Sequence, residues 1–111
     1  MDKLDQIFHL QDKLRKEIQL RTDYSNLSQE EKISKLCTAI VHEAVELQRL
    51  TNWKWWKKRT DFDKKHAKEE LADIWHFVIQ TSLELNLTPQ ELLEEYKAKN
   101  IINHKRQEQH Y

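Results

Sequence analysis

The chain contains no glycine and only one proline, Pro89, in 111 residues. Turns that need a positive φ therefore lack their usual residue, and only Pro89 interrupts the run of backbone amide donors. Long helices follow, and the expected fold class is all-α: a compact bundle of about four helices forming a single domain over residues 1–111. The lone cysteine, Cys37, excludes an internal disulfide, and its place in an apolar helical stripe makes it a small buried hydrophobe. Net charge is missing too, since 19 Lys and Arg balance 19 Asp and Glu. The basic excess that phosphate-backbone binding draws on is thus absent, which argues against a nucleic acid polymer as partner. No apolar run approaches the roughly 18 residues of a membrane span, and MDKLDQIFHL is charged from its second residue, so no membrane partner and a cytoplasmic location are expected. So short a chain buries apolar surface more fully against a second copy, and an oligomer is expected before a monomer.

What is present is helical periodicity with clear starts. Leu4, Ile7/Phe8, Leu14 and Ile18 lie on one face of a first helix over about Lys3 to Arg21, with Gln11 in the middle of that face. After the polar TDYSNL, Ser28-Gln29-Glu30-Glu31 forms a capping box opening a helix from about Gln29 to Leu50, with Ile33, Leu36/Cys37, Ile40, Ala44 and Leu47 as its buried stripe. Asp61 or Asp63 caps a third helix reaching about Leu85, with Ala67, Leu71, Ile74, Val78 and Leu85 facing inward. Thr88-Pro89-Gln90-Glu91 then starts a fourth, with proline at the first helical position and a second capping box.

Two helices carry paired acids. HEAVELQ gives Glu43-x-x-Glu46 and EELADIWHF gives Glu70-x-x-Asp73, and residues three apart share a helix face. Antiparallel packing brings all four together, where their mutual repulsion calls for a divalent cation. Such an all-oxygen set suits Mg²⁺, with Mn²⁺ as the alternative, rather than zinc. A solvated acidic face is the competing reading, and it is the one adopted for Glu91-x-x-Glu94, in the first turn of the fourth helix where acids complement the dipole. His42 and His76 flank the pairs, but HEAVE is not the H-E-x-x-H zinc pattern, and both are read as packing residues or as supports behind the ligands.

Three further features stand out. TNWKWWKKRT, Thr51 to Thr60, concentrates three of the four tryptophans with four cations. Stacking on single-stranded nucleic acid needs an extended basic groove, and a membrane-surface role needs a longer apolar face. The favoured reading is a connection lying over the acid site, its rings walling a pocket and Lys54 and Lys57 facing phosphate. Gln11 on an apolar face needs a partner, either a core hydrogen bond or a ligand. Toward the C-terminus, Asn100, Asn103 and Gln107 continue the helical face begun by Leu92/Leu93 and Tyr96, with Lys99 and Arg106 beside it, so an apolar stripe turns polar.

Together these stretches resemble a known family. The acid pairs, with WKWWK, DIWHF, YKAKNIINHKRQEQHY and more weakly HLQDKL, are similar to the MazG-like all-α nucleoside triphosphate pyrophosphohydrolases, and within them to the dimeric dUTPases. The resemblance implies a homodimer that hydrolyses dUTP, and dUDP as well, to dUMP with Mg²⁺. In that reading Glu43, Glu46, Glu70 and Asp73 hold the metal, and Glu43 or Glu46 takes a proton from the attacking water. Gln11 would contact uracil, with Trp53, Lys54, Trp56 and Lys57 at the pocket and Tyr96, Lys99, Asn100, Asn103 and Arg106 on the phosphates. Trp55 is then the structural or exposed ring, and Trp75 belongs to the core. Arg15 stands where members of the family often carry an asparagine. A dCTP or broad-specificity pyrophosphohydrolase is the alternative within the chemistry, and a non-catalytic helical interaction module the alternative outside it.

Overall fold

A computed structural model of the chain describes residues 1–110; Tyr111, the last residue of the YKAKNIINHKRQEQHY stretch, lies outside them. Four helices occur in the expected order: α1 (Lys3–Arg21), α2 (Gln29–Gln48), α3 (Lys64–Glu84) and α4 (Pro89–Glu108), with a short 3₁₀ turn (Tyr24–Asn26) between the first two. Their starts are set by side chains that satisfy free amide groups. Asp2 and Ser28 form reciprocal capping boxes with Asp5 and Glu31. Asp63, rather than Asp61, accepts from the His66 amide, and Thr88 accepts from that of Glu91 with Pro89 at the first helical position. Each such cap is worth about 1 kcal/mol. In the last case the box is half made, because the Thr88 hydroxyl also donates to the Glu91 carboxylate at 3.3 Å.

The α3–α4 corner shows how a chain without glycine turns. Asn86 takes the left-handed conformation at φ 60°. Its amide donates to Leu83 O and that of Leu87 to Ser82 O, both at 3.0 Å, closing the helix end. Asparagine is the residue that tolerates this conformation best after glycine.

Packing is led by α2 against α3, with α1 on α3 and α4 touching α1 lightly. The α2–α3 pair is antiparallel: Gln29 at the start of α2 donates to the Glu84 carbonyl at the end of α3, while Glu43 lies beside Glu70 and Asp73. Phe8, Leu36, Ala67 and Ile79 are the buried apolar residues, and α4 buries none. The radius of gyration, 17.3 Å, exceeds the about 13 Å usual at this length.

Several inward assignments are corrected. Ile7, Leu14, Leu71 and Leu85 are exposed, as are Cys37 and Ala44. Trp75, assigned to the core, is 57 % exposed. The physical reason is one of register and of cover. The buried face of α3 runs through Ala67, Ile79 and Gln80, and among the described residues no element covers the sides of α1 and α3 that carry Ile7, Leu14, Leu71 and Trp75. No described helix is long and apolar enough to cross a membrane.

Candidate active site

Antiparallel packing of α2 on α3 converts two sequence spacings into one cluster. One carboxylate oxygen from each of Glu43, Glu70 and Asp73 lies within 4.8 Å of the others. Glu43 and Glu70 are half-buried and Asp73 is exposed. The fourth acid, Glu46, is outside this trio, exposed and turned to Arg49 at 3.5 Å. Behind the trio, His66 Nε2 lies 3.1 Å from a Glu70 oxygen.

The electrostatics follow from the crowding. Desolvation raises the Glu43 carboxyl above the ordinary carboxylate range, and Asp73, Glu70 and Glu46 raise it further. A raised pKa in the folded state means that the folded chain binds this proton more tightly than the unfolded one. The resulting penalty is therefore present above the folded pKa and relieved as pH falls through it. Oxygens bound to one Mg²⁺ at about 2.1 Å are separated by about 3 to 4 Å, so small rotamer changes bring the trio into range. Glu43→Gln should raise the melting temperature of the metal-free protein at pH 7 and weaken its further rise with added Mg²⁺. A thermal melt of both proteins across a Mg²⁺ titration checks this, and identical responses would contradict the repulsion argument.

Beside the acids lies a cavity of about 360 Å³, lined by Gln11, Leu14, Ile18, Glu43, Asp73, His76, Phe77 and Gln80. Gln11 is buried, 4 % exposed, and its partners are side chains rather than backbone: His76 Nδ1 lies 2.7 Å from its Oε1, and its Nε2 donates to Gln80 Oε1 at 2.9 Å. Arg15, one turn on, donates to Glu84 and Asp12.

The tryptophan segment is an ordered loop. Asn52 clamps its two ends, donating to Thr60 O and accepting from Thr60 N, each at 2.9 Å. Trp56 meets Trp53 and Trp55 edge-to-face at centroid distances of 5.9 and 4.6 Å, and Lys54 sits over the Trp53 ring. Trp55 is the most exposed of the three, at 85 %. A cleft of about 510 Å³ beneath the loop presents Arg49, Lys54, Lys57 and Lys58. None of the acid trio lines it, so the loop and the acids border separate cavities. Tyr96, Lys99, Asn100, Asn103 and Arg106 are all exposed on α4 and line neither.

Sequence reasoning passed over His66, Gln80, Glu84, Tyr24 and the Asn52–Thr60 clamp. A signal existed for part of this: His76, Gln80 and Glu84 are spaced by four on α3, a polar stripe that Gln11 and Arg15, also four apart, meet from α1.

Among known families, a model described as dUTPase matches residues 3–91 of the chain. The match spans both acid pairs, Gln11 and the tryptophan loop, and ends before Tyr96. No curated protein and no solved structure gives a significant match.

Proposed function

The chain belongs to the dUTPase family, and from that premise we propose that it hydrolyses dUTP, and dUDP as well, to dUMP in a Mg²⁺-dependent reaction, the whole of residues 1–111 acting as one domain. The observation that carries this reading is the shared cavity, which has Gln11 and Gln80 on one wall and Glu43 and Asp73 on another. An amide that can read a base edge thus stands next to acids that can hold a metal.

Glu43, Glu70 and Asp73 would hold the ion or ions, with Mn²⁺ able to substitute. Glu46 joins them by giving up its 3.5 Å contact with Arg49. Bound there, the metal supplies charge neutralisation for the triphosphate and lowers the pKa of the attacking water. The chain does the rest. Glu43, which faces the cavity, takes the proton from that water, with Glu46 as the neighbouring alternative. Gln11 binds the base edge. Trp53 and Trp56 wall the sugar and base, and Lys54 and Lys57 pair with phosphate oxygens, when the loop, whose cleft is separate from the acid cavity in the free chain, moves over the bound nucleotide. Tyr96, Lys99, Asn100, Asn103 and Arg106 reach the phosphates when the loosely packed α4 closes over the cleft, which also excludes water.

A homodimer completes the protomer. Support comes from a groove of about 640 Å³ lined mainly by apolar residues, Leu4, Ile7, Leu10, Ala72, Trp75 and Ile79, together with Lys3, Gln11 and His76. Sedimentation equilibrium should give twice the 13.6 kDa chain mass, and Trp75→Glu should shift it toward the monomer. A wild-type monomer at micromolar concentration would remove the dimer.

The function is tested by incubating the purified protein with each deoxynucleoside triphosphate and Mg²⁺ and measuring pyrophosphate. Turnover confined to dUTP is the expected result. Comparable turnover of dCTP would replace this reading with the dCTP or broad-specificity one.

A further inference from the structure

We propose that Arg49 is exchanged between two sites: in the free chain it holds Glu46 apart from the acid trio, and a phosphate anion entering the cleft under the tryptophan loop takes it from Glu46, so that anion and metal bind cooperatively. The inference rests on the reading of Glu46 as the fourth metal-binding acid.

The cleft has the chemistry of an anion site. Arg49, Lys54, Lys57 and Lys58 line it and no carboxylate does, although the chain as a whole carries no net charge. Among the described residues the three lysines form no ion pair, and Arg49 pairs with Glu46. Two of the neutral donors in the lining are committed to the backbone. The Thr51 hydroxyl donates to Gln48 O at 2.7 Å, and the Asn52 amide closes the loop on Thr60. Positive charge is therefore what the cleft has left to offer, on a loop whose ends are clamped before any ligand arrives. A guanidinium fork matches two phosphate oxygens, and the ammonium groups add point charges around them.

Arg49 is where this cleft meets the acids. It caps the end of α2 and lines the cleft, while its Nη1 lies 3.5 Å from the Glu46 carboxylate three residues back. Glu46 in turn shares a helix face with Glu43, three residues back again, yet stands outside the trio of Glu43, Glu70 and Asp73. The pair is open to water, at 67 % and 51 % exposure, so it is weak and easily exchanged. A phosphate dianion among three lysines competes well against one solvated carboxylate for the same guanidinium. Glu46 is then left without its counter-charge beside another acid, and a divalent ion relieves that repulsion. Ligands of opposite charge in separate cavities thus assist each other through one arginine, and the metal must strengthen anion binding by the same factor as the anion strengthens the metal.

The test measures Mg²⁺ binding by calorimetry in the wild type, Arg49→Gln, Glu46→Gln and the double variant, each with and without inorganic phosphate. Phosphate should tighten Mg²⁺ binding to the wild type by about two- to fivefold, the range that an exposed ion pair commands. Arg49→Gln should bind Mg²⁺ without phosphate as tightly as the wild type does with it, and should ignore added phosphate. Glu46→Gln should bind Mg²⁺ more weakly and ignore phosphate too. With Glu46 already replaced, Arg49→Gln should add nothing, which separates the pair from the general field of one cation. In metal-free protein, phosphate should change the fluorescence of the loop tryptophans, and Arg49→Gln should need more of it. A wild type whose Mg²⁺ affinity ignores phosphate overturns the proposal while the metal site stands. An Arg49→Gln protein that still responds puts the anion on the metal itself and overturns it as well. If none of the four proteins binds Mg²⁺, the metal reading falls and the coupling with it. Competition names the occupant: α,β-imido-dUTP added without metal displaces phosphate if the substrate's own phosphates fill the cleft, and leaves it bound if a second anion does, the site standing in both cases.

Discussion

Asp73→Ala is expected to reduce pyrophosphate release from dUTP by at least about a thousandfold while leaving the far-ultraviolet circular dichroism spectrum unchanged. A loss of that size is what removal of one strong electrostatic contributor to a transition state produces. Asp73 is exposed on α3, has none of the buried apolar residues as its neighbour in the stripe, and belongs to a trio whose members repel one another. Its removal therefore costs the fold little and relieves charge, whereas it takes one oxygen from the proposed metal site. Activity and helicity should part company. A variant that loses helical signal in step with activity, or one that keeps full turnover, would contradict the assignment.

Glu84→Ala should do the opposite, and act first on stability. Its carboxylate is 4 % exposed, receives Arg15 and Lys32 from two other helices, and accepts the Tyr24 hydroxyl from the 3₁₀ turn. Truncation leaves Lys32, 18 % exposed, without this counter-charge, and Arg15, 21 % exposed, with Asp12 as its remaining carboxylate partner. Breaking a buried pair in this way costs about 3–5 kcal/mol, which at this chain length lowers the melting temperature by about 10–20 °C. Glu84→Gln keeps the shape and an acceptor for Tyr24, so its loss should be smaller. Chemical denaturation of the three proteins ranks them, and equal midpoints would mean that the cluster is not a structural anchor.

These two residues mark what a sequence reveals and what it hides. Helix starts were legible because a cap is a local event: Ser28 with Glu31, and Thr88 with Pro89, state their own geometry within four residues. The acid spacing was legible for the same reason, and the antiparallel packing of α2 on α3 brings three of the four acids together. The polar core was not. Periodicity assigns polar residues outward, so Gln80, Ser82 and Glu84 were passed over although all three are buried. The pairing of the α3 stripe with Gln11 and Arg15 reveals Gln80 and Glu84, and the spacing of four on each helix hints at it only when the two helices are read together. Leu71 and Trp75 failed in the converse sense, since an apolar residue can lie on a helix side that no other described element covers. The tryptophan loop was readable as a dense aromatic and cationic segment. Its clamp was not, because Asn52 and Thr60 are eight apart with no periodic relation.

The most direct measurement is a crystal structure with Mg²⁺ and a dUTP analogue carrying a non-hydrolysable α,β-bridge. The account predicts metal bonded at about 2.1 Å to oxygens of Glu43, Glu70 and Asp73, with the uracil edge on Gln11. A metal bound away from Glu43, Glu70 and Asp73, with those acids facing bulk water and the uracil edge off Gln11, would contradict it.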